Sequence, residues 1–328
     1  MKRFLLLSLF SSMIFANLLF CQGDDELGRT TVLFGHGFGG DRNHVDQYVD
    51  YGMLPECQTM PFDFPDSPRI FQNGNRLNLA RSSVWQKNEI DVFENVYSGT
   101  KEEAKKDNGK IIVGGVSRGG SCALSGNFEG ADGIFAESPV AHMKDMIGDS
   151  LKQFAVGWVP FLGRIINKFF IHRFIGRYNP SGSQPINRVE DIPRETPVLI
   201  SYTTQDQVVP PSSSVKLAER LYRSGHRNLY VWGTNTGQHG NIVYGRDGQN
   251  YRTVFRAFLR RCGALSPEYD SEEGNRMLEN ARVTSLPNLV RLRRRLQWNE
   301  WKKYWGRNLA TFATVSAAAL GVLYKLFG

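Results

Sequence analysis

Apolar residues along this chain gather in short runs, and most of the runs stop at glycine or proline. Residues 29–34 (RTTVLF) are β-branched and apolar and end at the cluster His36-Gly37-Phe38-Gly39-Gly40. Residues 58–64 form a second run, closed by Pro65. Residues 110–116 (KIIVGGV) are apolar without alternation, as in a strand buried on both faces. Residues 134–136, 198–202 and 228–232 supply three more short strands. Helical spacing fills intervening stretches, over 77–97, directly after Ser117, and over about 251–262. Strands alternating with helices predict an α/β fold with a mostly parallel central sheet of about six strands, flanked by helices.

One stretch breaks the alternation. Residues 139–193 separate two strands by far more than a single crossover helix requires, and 156–178 are rich in large apolar residues. From Leu162 onward apolar pairs recur at helical spacing, and Arg164, Lys168, Arg173 and Arg177 fall largely on the opposite side. A helix packed on the core would carry such a pattern. So would a helical lid (about 139–195), with Trp158, Phe161, Ile165, Phe169 and Phe170 lining an apolar acyl pocket, and the lid is the preferred expectation.

The apolar and charged fractions, 41% and 22%, are those of a globular protein. The net charge of +8 is concentrated at one end. Residues 285–328 hold eight Lys or Arg and one acid, so the remainder is nearly neutral and no nucleic-acid partner is expected. In that tail Trp298, Trp301 and Trp305 are spaced i, i+3, i+7 behind the Arg291–Arg295 cluster, and an apolar run follows over 309–326. Tryptophans and cations beside an apolar run are the residues of a membrane interface. At the other end, Lys2 and Arg3 precede an apolar run over 4–20, which reads as a signal peptide or an uncleaved signal-anchor. Together these predict an exported, membrane-associated protein on a periplasmic or extracellular face. A spanning tail would then leave its basic flank outside, against the positive-inside rule, whereas an interfacial helix, or a tail packed on the protein, would not. The four cysteines (21, 57, 122, 262) are widely spaced and form no zinc or redox motif, so neither metal nor cofactor is expected.

The strongest chemical signal is Gly115-Val116-Ser117-Arg118-Gly119, a G-x-S-x-G sequence directly after a buried strand. A serine on a sharp strand-to-helix turn is held exposed in strained dihedrals, and side chains at the flanking positions would collide with neighbouring elements. Together with the HGFGG cluster at another strand end, this resembles the α/β-hydrolase superfamily. The resemblance implies that Ser117 is the nucleophile and that the backbone N–H groups of Phe38 and Arg118 form the oxyanion hole. It also implies the chain order Ser, Asp or Glu, His. Asp206, in the loop after strand 198–202 and just before Val208-Val209-Pro210, occupies the acid's place, with Glu137 held in reserve. His239, in the glycine-rich loop after strand 228–232, occupies the base's place, and His36 is expected to brace its own loop.

The expected organisation is a signal or anchor over 1–22 and a hydrolase domain over 23–265. A basic amphipathic linker or helix over 266–307 and a hydrophobic membrane-associating segment over 308–328 follow. The expected activity is hydrolysis of small-molecule or lipid carboxylic esters with an apolar acyl group, through an acyl-enzyme. A thioesterase or small peptidase could use the same triad, and a non-catalytic membrane-bound binding module is the reading outside enzymes.

Overall fold

In β1 (Thr30–Gly35) Val32 and Phe34 face one way and Leu33 the other, and all three are buried, as a strand covered on both faces requires. The computed structural model describes residues 29–65, 82–143, 146, 178–179 and 181–303. Among these, β1 joins β2 (Cys57–Phe62), β3 (Lys110–Val116), β4 (Gly133–Glu137), β5 (Val198–Thr203) and β6 (Leu229–Thr234) in one sheet of order β2-β1-β3-β4-β5-β6, parallel throughout. The chain runs outward from β1 to β2, then returns to add β3 on the other side. The β1 and β3 ends therefore flank the point where strand order reverses, the place where open parallel sheets bind ligands. The register sets Gly35 beside Gly115, bringing the HGFGG loop next to Ser117.

The helices are α1 (Asp46–Asp50), α2 (Lys87–Ala104), α3 (Arg118–Ala123), α4 (Pro185–Arg188), α5 (Pro211–Arg223), α6 (Gly248–Arg261), α7 (Glu272–Ala281) and α8 (residues 286–303). On one face of the sheet Phe93 of α2, Cys122 of α3 and Leu221 of α5 pack with Leu33, Ile111 and Val113. On the other, Tyr251, Phe255 and Phe258 of α6 pack with Val32, Phe34 and Ile112.

One expectation needs correction. The helix expected over 77–97 is not helical over 82–86, starts at Lys87 and continues to Ala104. Val84 and Trp85 hold φ of 47° and 54°, a left-handed backbone that no helix start predicts. Within the segment expected as a basic amphipathic linker or helix, residues 286–303 are helical and pack on the core. α8 buries Leu289 and Leu296 in the core, Arg293 pairs with Glu219 of α5 at 2.7 Å, and Val283 N–H donates to the Leu229 carbonyl at the sheet edge. Trp298 and Trp301 remain exposed on its outer side, stacked 4.8 Å apart.

The N-terminal segment 1–22, the lid residues Trp158, Phe161, Ile165, Phe169 and Phe170, and the segment 308–328 lie outside the described residues. The described residues at the two ends of the 139–195 stretch are tied to the core. Val140 N–H donates to Ser121 Oγ (2.8 Å), Ala141 N–H to Ser213 Oγ (2.7 Å) and Ile186 N–H to the Ala141 carbonyl (3.1 Å). Among the described residues no helix is long and apolar enough to cross a membrane, and Cys57 and Cys262 are free thiols.

Candidate active site

Ser117 stands between β3 and α3 with φ 53° and ψ −106°, a conformation costly for a side-chain-bearing residue and held only where surroundings enforce it. The enforcement is visible. Ser117 N–H donates to the Glu137 carbonyl at 2.7 Å, and its own carbonyl accepts from Ser121 Oγ at 2.6 Å and Ser121 N–H at 2.8 Å. The flanking glycines are steric necessities, since a Cβ at Gly119 would lie 1.8 Å from the Gly35 carbonyl oxygen and one at Gly115 2.0 Å from it.

Asp206 lies in the turn after β5 and is buried. Its Oδ1 accepts the N–H groups of Val208 and Val209, both at 2.8 Å, so only Oδ2 is left to face outward. That oxygen is 2.7 Å from His239 Nδ1. A carboxylate oxygen can only accept here, so Nδ1 carries the proton and Nε2 is left as the proton acceptor. His239 keeps 17% of its side chain exposed. The loop that carries it comes close to the serine's turn: a Cβ built on Gly240 would stand 3.0 Å from Val116 Cγ1.

Glu137, the reserve acid, points elsewhere. Its Oε2 accepts from Tyr48 Oη at 2.5 Å and its Oε1 from Ile242 N–H at 3.3 Å. It is fully buried, and burial pushes its carboxyl above the usual range. His36 braces its loop as expected. Nε2 accepts from Phe64 N–H at 3.3 Å, which leaves the proton on Nδ1, 2.8 Å from the Gly37 carbonyl. Burial, then the Arg118 charge, lowers its pKa to about 3, so the ring is neutral. Phe38, the expected oxyanion donor, lies in this loop and is 41% exposed.

Three side chains at the site escape sequence reasoning. His44 Nδ1 accepts Gly37 N–H at 3.4 Å and the ring also bonds the Gly240 backbone, so it ties the HGFGG loop to the His239 loop. Burial and the neighbouring His239 both lower its pKa. The Arg118 side chain, fully buried, reaches back under the HGFGG loop to Glu89 of α2. No spacing rule marks any of these, because each contact crosses between elements that the sheet alone brings together.

No protein-family model matches the sequence, and no curated protein sequence matches it. Solved structures do resemble it. An esterase of Pyrococcus furiosus, Pf2001, superposes with a TM-score of 0.52 at 20% identity, over 72% of this chain and 83% of that one. A thermophilic esterase, Est2, of the planctomycete Thermogutta terrifontis superposes with a TM-score of 0.52 at 18% identity, over 76% of this chain and 88% of that one. At such identities the likeness is one of fold. The chain has the α/β-hydrolase fold, with a six-stranded parallel sheet and its sharp strand-to-helix turn at Ser117.

Proposed function

We propose that the protein is a serine hydrolase that cleaves carboxylic esters with an apolar acyl group through an acyl-enzyme. The observation that carries the reading is the 2.7 Å bond from His239 Nδ1 to Asp206 Oδ2, on the same sheet edge as a serine in a strained strand-to-helix turn. Ser117 Oγ attacks the ester carbonyl while His239 Nε2 takes its proton. The tetrahedral oxyanion is met by the N–H groups of Phe38 and Arg118, and collapse expels the alcohol as His239 returns the proton to it. Water then repeats the cycle on the acyl-serine. Asp206 keeps the imidazole in the tautomer that this requires and stabilises the imidazolium. The esterases that share the fold favour an ester over a thioester or amide substrate, and the apolar character of 156–178 favours an apolar acyl group.

We further propose that the protein works at a membrane surface on an exported face. The outer side of α8 supports this, with the stacked Trp298–Trp301 pair, Lys302 over the Trp298 ring and exposed Arg291, Arg294 and Arg295 just before the apolar C-terminal run.

Labelling the purified chain with a fluorophosphonate, beside Ser117→Ala, tests the chemistry. Labelling confined to the wild type, followed by turnover that rises with acyl length in a series of nitrophenyl esters, is expected. A well-folded wild type that takes no label in the presence of detergent would favour the binding-module reading.

A further inference from the structure

We propose that the Arg118 side chain is a positioning residue for the oxyanion hole, acting through the Gly37 carbonyl on the Gly37–Phe38 peptide. This rests on the serine-hydrolase reading of the site. The backbone N–H of residue 118 needs no particular side chain to serve the oxyanion, yet this chain places there a guanidinium that is 0% exposed. Its Nη2 lies 3.4 Å from the Gly37 carbonyl oxygen and 3.2 Å from His36 Nδ1. Its plane sits 4.4 Å from the Phe64 ring centroid and 5.4 Å from that of Phe38.

The same carbonyl accepts from His36 Nδ1–H at 2.8 Å and from Gly40 N–H at 3.2 Å. The preceding peptide is fixed as well, by Gly37 N–H on His44 Nδ1. A trans peptide is planar, with its C=O and N–H pointing in opposite directions. Three donors gathered on the Gly37 oxygen therefore aim the Phe38 N–H away from the protein interior, toward the face where Ser117 stands. Donors on a carbonyl also polarise its amide and strengthen the N–H as a donor, more so when one of them is cationic. A fixed positive charge under the loop favours the developing negative charge above it.

Burying a guanidinium is expensive unless it is paired. Glu89, also 0% exposed, has Oε1 3.9 Å from Arg118 Nη1. The Glu89 carboxylate in turn gathers Ser82 Oγ (2.9 Å) and the N–H groups of Ser83 (3.1 Å), Val84 (3.0 Å) and Trp85 (2.5 Å). Holding those amides around one carboxylate requires the left-handed backbone of Val84 and Trp85. The strained turn ahead of α2, the buried acid and the buried cation thus form one unit whose far end is the Gly37 oxygen.

The test uses Arg118→Gln, Arg118→Lys and the double variant Glu89→Gln/Arg118→Gln, which removes both charges and so leaves no buried carboxylate unpaired. Each is read by its melting temperature, by kcat and KM on a nitrophenyl ester, and by inhibition with an alkylboronic acid that becomes a tetrahedral anion on the serine. The neutral variants are expected to lose about 100-fold in kcat, in the range of a lost oxyanion donor. KM should stay within about twofold, boronate affinity should fall by the same factor as kcat, and Arg118→Lys should recover about tenfold. If Arg118→Gln does not fold, the double variant carries the comparison. A folded neutral variant with kcat within about threefold of wild type would overturn the proposal. So would a kcat loss that leaves boronate affinity intact, or a lysine variant no better than the glutamine one. Fluorophosphonate labelling of the wild type, lost in Ser117→Ala, checks the underlying serine-hydrolase reading separately: a wild type that takes no label fails there, whatever Arg118 does.

Discussion

Asp206 Oδ2 accepts a hydrogen bond from His239 Nδ1 at 2.7 Å while Asp206 Oδ1 is held by two backbone amides of its own turn. The carboxylate cannot rotate without giving up those amides, so it dictates the imidazole tautomer. Asp206→Asn keeps the shape but presents an amide that can turn an N–H toward Nδ1, which would move the ring proton to Nε2 and remove the base. The expected loss in kcat is about 10⁴-fold, with KM little changed, measured on a nitrophenyl ester. A loss of less than tenfold would mean that another group orients His239.

Glu137 is the group to compare. Its oxygens are taken by Tyr48 and Ile242 rather than by the base, so Glu137→Gln, which can keep one acceptor for the Tyr48 hydroxyl, should hold kcat within about tenfold of wild type. A collapse of activity in Glu137→Gln with Asp206→Asn still active would transfer the acid's role to Glu137.

All six strands could be located from the sequence because each is a short run rich in apolar residues, most of them closed by glycine or proline, and residues 110–116 coincide with β3. Asp206 and His239, which the structure brings together, each follow a strand in a loop, and what singles them out in the sequence is the resemblance to the α/β-hydrolases with its order of serine, acid and histidine. What could not be read is what depends on pairs far apart. Arg118 and His36 are 82 residues apart, and Ser212 and Glu300 are 88 apart. The start of α2 at Lys87 escapes the periodicity for the same reason. The apolar spacing continues through 82–86, but the local backbone is set by amides that converge on Glu89, and the charge opposite Glu89 comes from Arg118, the residue after Ser117. Periodicity reports which face is buried, and it is silent on a turn shaped by one carboxylate.

α8 belongs to the hydrolase core by its contacts. The N-cap position of α5 is Pro210, whose ring offers no capping oxygen, and the cap comes from Glu300, which accepts Ser212 N–H and Ser212 Oγ, both at 2.9 Å. A carboxylate at that end also faces the positive end of the helix dipole. Glu300→Ala should therefore cost about 1 kcal/mol of stability. Leu296→Ala, which empties a buried position, should cost about 2–5 kcal/mol. Urea melts would measure both. Unchanged midpoints would mean that α8 is only loosely attached and that the tail is a separate module.

Acid should unfold the protein partly through its buried histidines. His36 is 0% exposed and its pKa is lowered to about 3, chiefly by burial and then by Arg118, and His44 and His226 are also lowered by burial. A histidine free in the unfolded chain titrates near 6.5. Below that pH the unfolded state takes up a proton that the folded state refuses, so stability is full above about pH 6.5 and falls as pH drops toward 3. For His36 alone the slope is about 1.4 kcal/mol per pH unit within that window. His36→Gln removes the titration while leaving an amide able to donate to the Gly37 carbonyl. Plots of unfolding free energy against pH between 4 and 7 should thus be shallower for the variant by about that amount, whatever the carboxylates contribute to both. Parallel plots would mean that the loop opens and hydrates His36 before the protein unfolds. The HGFGG loop would then be too soft to hold an oxyanion donor in place at acid pH, and activity would fall with acid ahead of any change in the melt.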